Sequence, residues 1–298
     1  MRFPNPLKPW FVYRPEQFAR RVLRGIRAPA DPVRIVGLPW GCPIEIDIRE
    51  TIGRSIWTAG VFDLAVVEVL MRLADPRRLA IDAGANIGAL TGALAARAAE
   101  VWACEPNPIL GPRLTGNIAR FADLPGYAPC RLFDVALSDS DGEGRLETPD
   151  GFADNHGLAR LTTGEVGVRV RTARLDTLLD GREVGVLKVD VEGHEAALFR
   201  GAAESLATGR IRHIVFEEHG GPESPACRLL NDFGYALREI GWTLTGPVIA
   251  PMGSGVARGY EAPSFLATRD PAGAEAACRP RGWTCLRRRR SGARGVSP

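Results

Sequence analysis

The sequence predicts an α/β fold with a doubly wound, mostly parallel sheet, and three observations carry that prediction. From Leu79 onward, short apolar runs alternate with helical patterns, as in "RLAIDAG" followed by "IGALTGALAARAA". The runs "EVWACEPNP" and "VGVLKVDVEG" each end on acidic residues just where the chain turns. A glycine-bearing turn, "IDAGANIG", joins the first run to its helix. Repeated strand–helix alternation with short turns produces parallel strands covered by helices on both faces.

The elements follow in order. Residues 1–32 are rich in Pro, Arg and aromatics and read as an N-terminal extension with one short helix near Pro15–Arg24. Residues 33–75 lead into the core. "VRIVGLPWGCPIEIDIRE" holds two alternating stretches joined by Gly-Cys-Pro, with Ile44, Ile46 and Ile48 facing one way, as in a half-buried antiparallel hairpin. "GVFDLAVVEVLMRLAD" has helical spacing and stops at Asp75-Pro76. The main domain spans residues 76–270. After the first two strand–helix units come a third strand, "CRLFDVALSD", a fourth, "VGVLKVDVEG", and a fifth, "IRHIVFEEH". "YALREI" and "SFLATR", separated by a Gly/Pro-rich loop, predict an antiparallel edge hairpin. "GRLETP" and "VGVRVRT" predict a small β insertion at about residues 142–172, on the side where loops after strand C-termini line a ligand crevice. Residues 271–298 are read as an Arg-rich, disordered tail.

Bulk properties bound the function. The chain has 298 residues, 45% of them hydrophobic and 24% charged, as in an ordinary globular protein. Its net charge of +3 comes partly from arginines after Arg279, so no specific nucleic-acid partner is expected. Six cysteines form no C-x-x-C pair, which argues against a zinc ribbon or redox motif, and no metal is expected. Prolines interrupt the N-terminus where a signal sequence would be apolar, and no run is long enough to span a bilayer. A cytoplasmic protein with free thiols is therefore expected.

The turn "IDAGANIG" points to a nucleoside-containing cofactor. Gly84 permits the tight turn, Gly88 lets the helix start pack closely, and Glu105 closes the second strand where a carboxylate can accept from ribose hydroxyls. Asn86 stands where a dinucleotide fingerprint needs its second glycine, and Asp82 at this turn would repel pyrophosphate. A carboxylate there suits the ammonium and sulfonium of S-adenosylmethionine. An NAD-dependent oxidoreductase is the rival enzyme class, and a catalytically inactive binding module the rival without chemistry.

The blocks "AIDAGANIGALTGALAA", "CEPNP", "VALSDSDGEGRL", "LKVDVEGHEAALFRGA" and "IVFEEH" occur in an order and spacing that resemble the FkbM family of methyltransferases. The resemblance runs from about Ile44 to His219. It implies a class I, Rossmann-like methyltransferase fold and, most often, O-methylation of a natural product or sugar, with S-adenosylmethionine as donor. The partner implied is a small-molecule or glycosylated acceptor, and an amine acceptor stays open. It puts Asp82, Gly84, Asn86 and Gly88 around the methionine part of the donor, Glu105 on the ribose, and Asp134, Val135 and Ala136 near the adenine.

Methyl transfer to a hydroxyl requires an aligned lone pair and a group to take one proton. Asp190 and Glu192 sit at the end of a strand that reads as buried, where unpaired carboxylates are unfavourable without a ligand or partner. His194 is read as the base, with Asp190 or Glu192 orienting it or the acceptor. Glu195 is read as complementing the helix N-terminus. His219, with Glu217 or Glu218, and His156 in the insertion are read as acceptor contacts.

Overall fold

The computed structural model describes residues 8–24, 31–148, 156–162, 164, 166–256 and 263–287. Two strands, β1 (Val33–Gly37) and β2 (Pro43–Asp47), pair antiparallel with Val33 opposite Asp47. The expected hairpin is present, and the helices Pro15–Arg24 and Leu64–Leu73 fall where periodicity places them. A further helix, Thr51–Ala59, fills the connection between hairpin and core.

The core follows as β3 (Leu79–Ala83), β4 (Glu100–Cys104), β5 (Cys130–Phe133), β6 (Ala136–Leu137), β7 (Gly142–Glu147), β8 (Arg160–Thr162), β9 (Val168–Ala173), β10 (Val184–Val189), β11 (Ile211–Glu217), β12 (Ala236–Thr243), β13 (Gly246–Pro251) and β14 (Ser264–Thr268). Eight of these form one sheet in the order β13-β12-β14-β11-β10-β3-β4-β5. Strands β3, β4, β5, β10 and β11 run parallel, and β12, β13 and β14 are antiparallel to their neighbours. Chain order reverses between β3 and β10, and a crevice opens at the carboxyl ends of strands flanking such a point.

Three expectations need correction. The loop between the late strands contains β13, which pairs with β12 and becomes the sheet edge. The predicted third strand breaks after Phe133, and its second half joins the insertion as β6, parallel to β9. The insertion is accordingly a four-stranded sheet, β6-β9-β7-β8.

The tail boundary also moves. Pro271–Cys278 is helical, and Trp283 and Cys285 are fully buried. Glu68, fully buried in the helix Leu64–Leu73, accepts from the backbone amides of Thr284 (2.9 Å) and Cys285 (2.8 Å) and from Arg72 (2.6 Å). Arg72 donates to the carbonyls of Cys278, Pro280 and Gly282. The arginine content that suggests a solvated terminus obscures this apolar anchor. Residues 288–298, where most of that arginine lies, are outside the described residues.

Two apolar layers sandwich the sheet. One contains Leu70, Leu94, Val186 and Trp283, and the other Leu187, Phe199, Phe216 and Leu230. Asn117 ties the hairpin to the cofactor turn: its amide donates to the Ile87 and Glu45 carbonyls while its oxygen accepts from Glu45 N–H.

Candidate active site

The crevice encloses about 630 Å³, counting its open mouth, and lies against the carboxyl ends of β3, β4 and β10. Gly84, Asn86, Glu105, Ala136, Asp190, Glu192 and His194 all line it. Gly84 adopts φ 75° because the chain passes directly against β10, and a Cβ there would overlap the Asp190 carbonyl oxygen. Asn86 also lies in the left-handed region, at φ 52°. Its N–H donates to Glu105 Oε2 (2.8 Å), and Asn107 N–H donates to Oε1 (2.9 Å). These two bonds fix the Glu105 carboxylate at the crevice floor, while burial pushes its pKa up to about 7. Asn86 Oδ1 is buried with no hydrogen-bond partner among the described residues, an arrangement that normally calls for a ligand or water.

One wall is apolar, formed by Leu110, Val135 and Ala136 with Leu146, Ala159 and Leu161 of the insertion. The insertion therefore roofs the crevice. Asp134 is exposed and does not line it, because the strand break at Phe133 turns Val135 and Ala136 inward instead. Gly88 does not line it either. It adopts φ 86°, caps the helix Ala89–Ala95 and packs under Leu114.

Asp82 is not at the mouth of the site. It is fully buried, accepts from Thr91 Oγ1 (2.6 Å), and pairs with Lys188 Nζ at 3.1 Å. The same ammonium donates to the Gly84 carbonyl (2.7 Å) and lies 3.6 Å from Asp190 Oδ2. Asp190, unlike Asp82, faces the crevice.

The proposed base is oriented differently from expectation. His194 Nε2 meets Ser138 Oγ at 2.9 Å, so Ser138 rather than Asp190 or Glu192 holds the ring. Burial lowers the His194 pKa and so favours the neutral imidazole. Glu192, at φ 52°, has its pKa pushed up to about 7 by burial and by Asp190. Glu195 Oε1 accepts from Gly193 N–H (3.1 Å), as expected of a helix-start carboxylate. His219 is exposed and pairs with Glu217 at 2.8 Å, outside the crevice lining. Glu217 lines a small neighbouring recess with Asp190, Lys188 and Phe62, and burial beside Asp190 pushes its pKa up to about 8. The His156 side chain lies outside the described residues. Among the described residues, no group of three or more His, Cys, Asp or Glu side chains is arranged to hold a metal.

Residues 82–240, just over half of the chain, match the methyltransferase FkbM domain. The chain belongs to the FkbM methyltransferase family. It is 34% identical over 160 residues to the hexuronic acid methyltransferase AglP of Haloferax volcanii, a match covering 52% of this chain and 62% of that protein. It thus spans less than two thirds of the length of this relative. Among solved structures, an FkbM methyltransferase from Methylobacillus flagellatus aligns with a TM-score of 0.43 and 14% identity, over 65% of this chain and 44% of that one. The magnesium protoporphyrin IX methyltransferase of Synechocystis with bound SAM aligns with a TM-score of 0.38 and 12% identity, over 69% and 76%.

In this FkbM-family chain, sequence reasoning missed Lys188 and the insertion wall. Lys188 occupies an alternate position in "VLKVDV", where a half-buried strand would turn it toward solvent. Its real environment is the adjacent β3 terminus, visible only once β3 and β10 are paired. Leu146, Ala159 and Leu161 carried no signal because their strands are short and their role depends on β6 changing sheets. Among the described residues, no helix is long and apolar enough to cross a membrane.

Proposed function

We propose that the protein transfers a methyl group from S-adenosylmethionine to a hydroxyl of a small molecule or sugar. The observation that carries this reading is the crevice itself. A fixed carboxylate at Glu105, an unpartnered amide oxygen at Asn86 and an apolar wall together fit a nucleoside. Asp190 adds a negative charge where a cationic donor is stabilised. When bound, S-adenosylmethionine supplies an electrophilic methyl group on sulfur.

The chain's own residues then align the acceptor and move one proton. His194 reaches the crevice and also lines a broader groove beside the insertion, so it can meet a hydroxyl entering from that groove. Its neutral ring can accept the proton, with Ser138 holding its orientation. Arg145, Arg169 and Arg200 line the groove, and guanidinium groups suit a sugar carboxylate. Hexuronic acids, named for the Haloferax relative, are therefore the first acceptors to assay.

The test is transfer of labelled methyl from S-adenosylmethionine to a panel of uronic acid glycosides and matching amino sugars. The expected product carries the label on oxygen, and His194→Ala lowers kcat by about a hundredfold while leaving donor binding within twofold. Label on nitrogen, or full turnover by His194→Ala, would overturn the corresponding part of the reading.

A further inference from the structure

Resting on the donor site proposed above, we infer that Lys188 is its positioning residue: it cancels the buried charge of Asp82, holds the Gly84 carbonyl, and leaves Asp190 as the carboxylate a cationic donor meets. Lys188 has its side chain 5% exposed and Asp82 1%, so neither is solvated by bulk water. A buried ammonium needs both an opposite charge and acceptors for its protons. Lys188 finds Asp82 at 3.1 Å and the carbonyls of Gly84 at 2.7 Å and Ala83 at 3.2 Å.

These contacts link the two strands that flank the topological switch. Ala83 ends β3 and Gly84 follows it, while Lys188 belongs to β10 and stands two residues before Asp190. The backbone repeats the link, since Asp190 N–H donates to the Ala83 carbonyl at 3.1 Å. Asp190 Oδ2 is 3.6 Å from the ammonium, and the Asp190 side chain is 30% exposed toward the crevice. One cation thus serves two carboxylates. Asp82 is closer and shielded; Asp190 retains a net negative charge at the surface of the site.

Further acidic side chains surround the pair, and burial raises the pKa of three of them. Glu105 just after β4, Glu192 after β10 and Glu217 on β11 all feel Lys188, and Asp63 at the start of the helix Leu64–Leu73 faces Glu217. Lys188 is the cation common to this ring of carboxylates. Without it, Asp82 and Asp190 would repel across the turn that shapes the crevice.

A purely structural ion pair can be replaced by a neutral pair of similar volume without changing the site. The test uses that distinction on the full chain. Wild type, Asp82→Asn, Lys188→Met and the double variant D82N/K188M are titrated calorimetrically with S-adenosylmethionine and with its neutral product S-adenosylhomocysteine, alongside thermal unfolding. The double variant is expected to unfold within a few degrees of wild type yet bind both ligands at least tenfold more weakly, because the Gly84 carbonyl has lost its donor and Asp190 its neighbouring ammonium. Asp82→Asn leaves the ammonium paired with Asp190 alone, cancelling the charge that the donor meets, and it is expected to weaken S-adenosylmethionine at least fivefold more than S-adenosylhomocysteine.

Should Lys188→Met fail to fold, the double variant still decides. If that folded variant binds both ligands within twofold of wild type, the positioning role is wrong and the donor site stands. If wild type binds neither ligand, the donor site is wrong and the role of Lys188 falls with it.

Discussion

Two buried ion-pair clusters in this molecule have opposite designs. In the Glu68–Arg72 cluster the side chains are 0% and 6% exposed, and backbone groups of the C-terminal segment saturate both ions. The Asp82–Lys188–Asp190 cluster is equally deep at Asp82 and Lys188, but it carries two carboxylates for one ammonium and opens at Asp190 onto a crevice. Charge balance with complete hydrogen bonding marks a structural clamp. Surplus charge facing a cavity marks a place built for a ligand.

Glu68→Ala should cost about 3–5 kcal/mol of stability, because it leaves Arg72 and the Thr284 and Cys285 amides buried without their partner. Denaturant unfolding measures this. At temperatures where the variant remains folded, its affinity for S-adenosylmethionine should stay within twofold of wild type. A large loss of affinity in the folded variant would show that the two clusters are coupled.

Asp190→Asn should behave in the opposite way. Stability should change by less than about 1 kcal/mol at this partly exposed position. Affinity for S-adenosylmethionine should fall about tenfold relative to S-adenosylhomocysteine, or about 1.4 kcal/mol. Equal loss for both ligands would mean that Asp190 shapes the crevice without reading the charge of the donor.

The pH dependence of stability is the gentlest test. Glu105 and Glu192 have folded-state pKa values near 7 and Glu217 near 8, all above the ordinary value of 4.5. Through these three groups the folded state holds more protons than the unfolded state between about pH 5 and 8. His194 and His213, whose pKa burial lowers, oppose this below about pH 6.5, so stability should fall as pH rises chiefly through the upper part of that window. Above it the effect levels off. Glu192 and Glu217 are partly exposed, so solvent screens their contribution, and the slope should be shallow. Glu217→Gln should flatten its upper end, and saturating S-adenosylmethionine should steepen ligand-induced stabilisation from pH 6 to 8.

The contrast between the clusters also explains what could be read from the chain. Strand–helix alternation made the parallel core legible, and the "IDAGANIG" turn with Glu105 pointed to the crevice because tight turns and strand-end carboxylates are local in sequence. Asp190, Glu192 and His194 were legible for the same reason, clustered within five residues. Lys188 was not, since its partner Asp82 lies on another strand over a hundred residues away. The clamp was hidden similarly: Glu68 and Arg72 look like an ordinary i,i+4 surface pair until the C-terminal segment covers them. Asp134, which the family resemblance put near the adenine, lies where the third strand breaks. The chain changes sheets there and leaves the carboxylate exposed.

The proposed donor site for S-adenosylmethionine rests on Glu105, fixed by the Asn86 and Asn107 amides. Calorimetric titration of wild type and Glu105→Ala with S-adenosylmethionine and NAD tests it most directly. One molecule of S-adenosylmethionine should bind to wild type, Glu105→Ala should weaken it at least tenfold, and NAD should bind to neither. Binding of NAD in preference to S-adenosylmethionine, or unchanged affinity in Glu105→Ala, would contradict it.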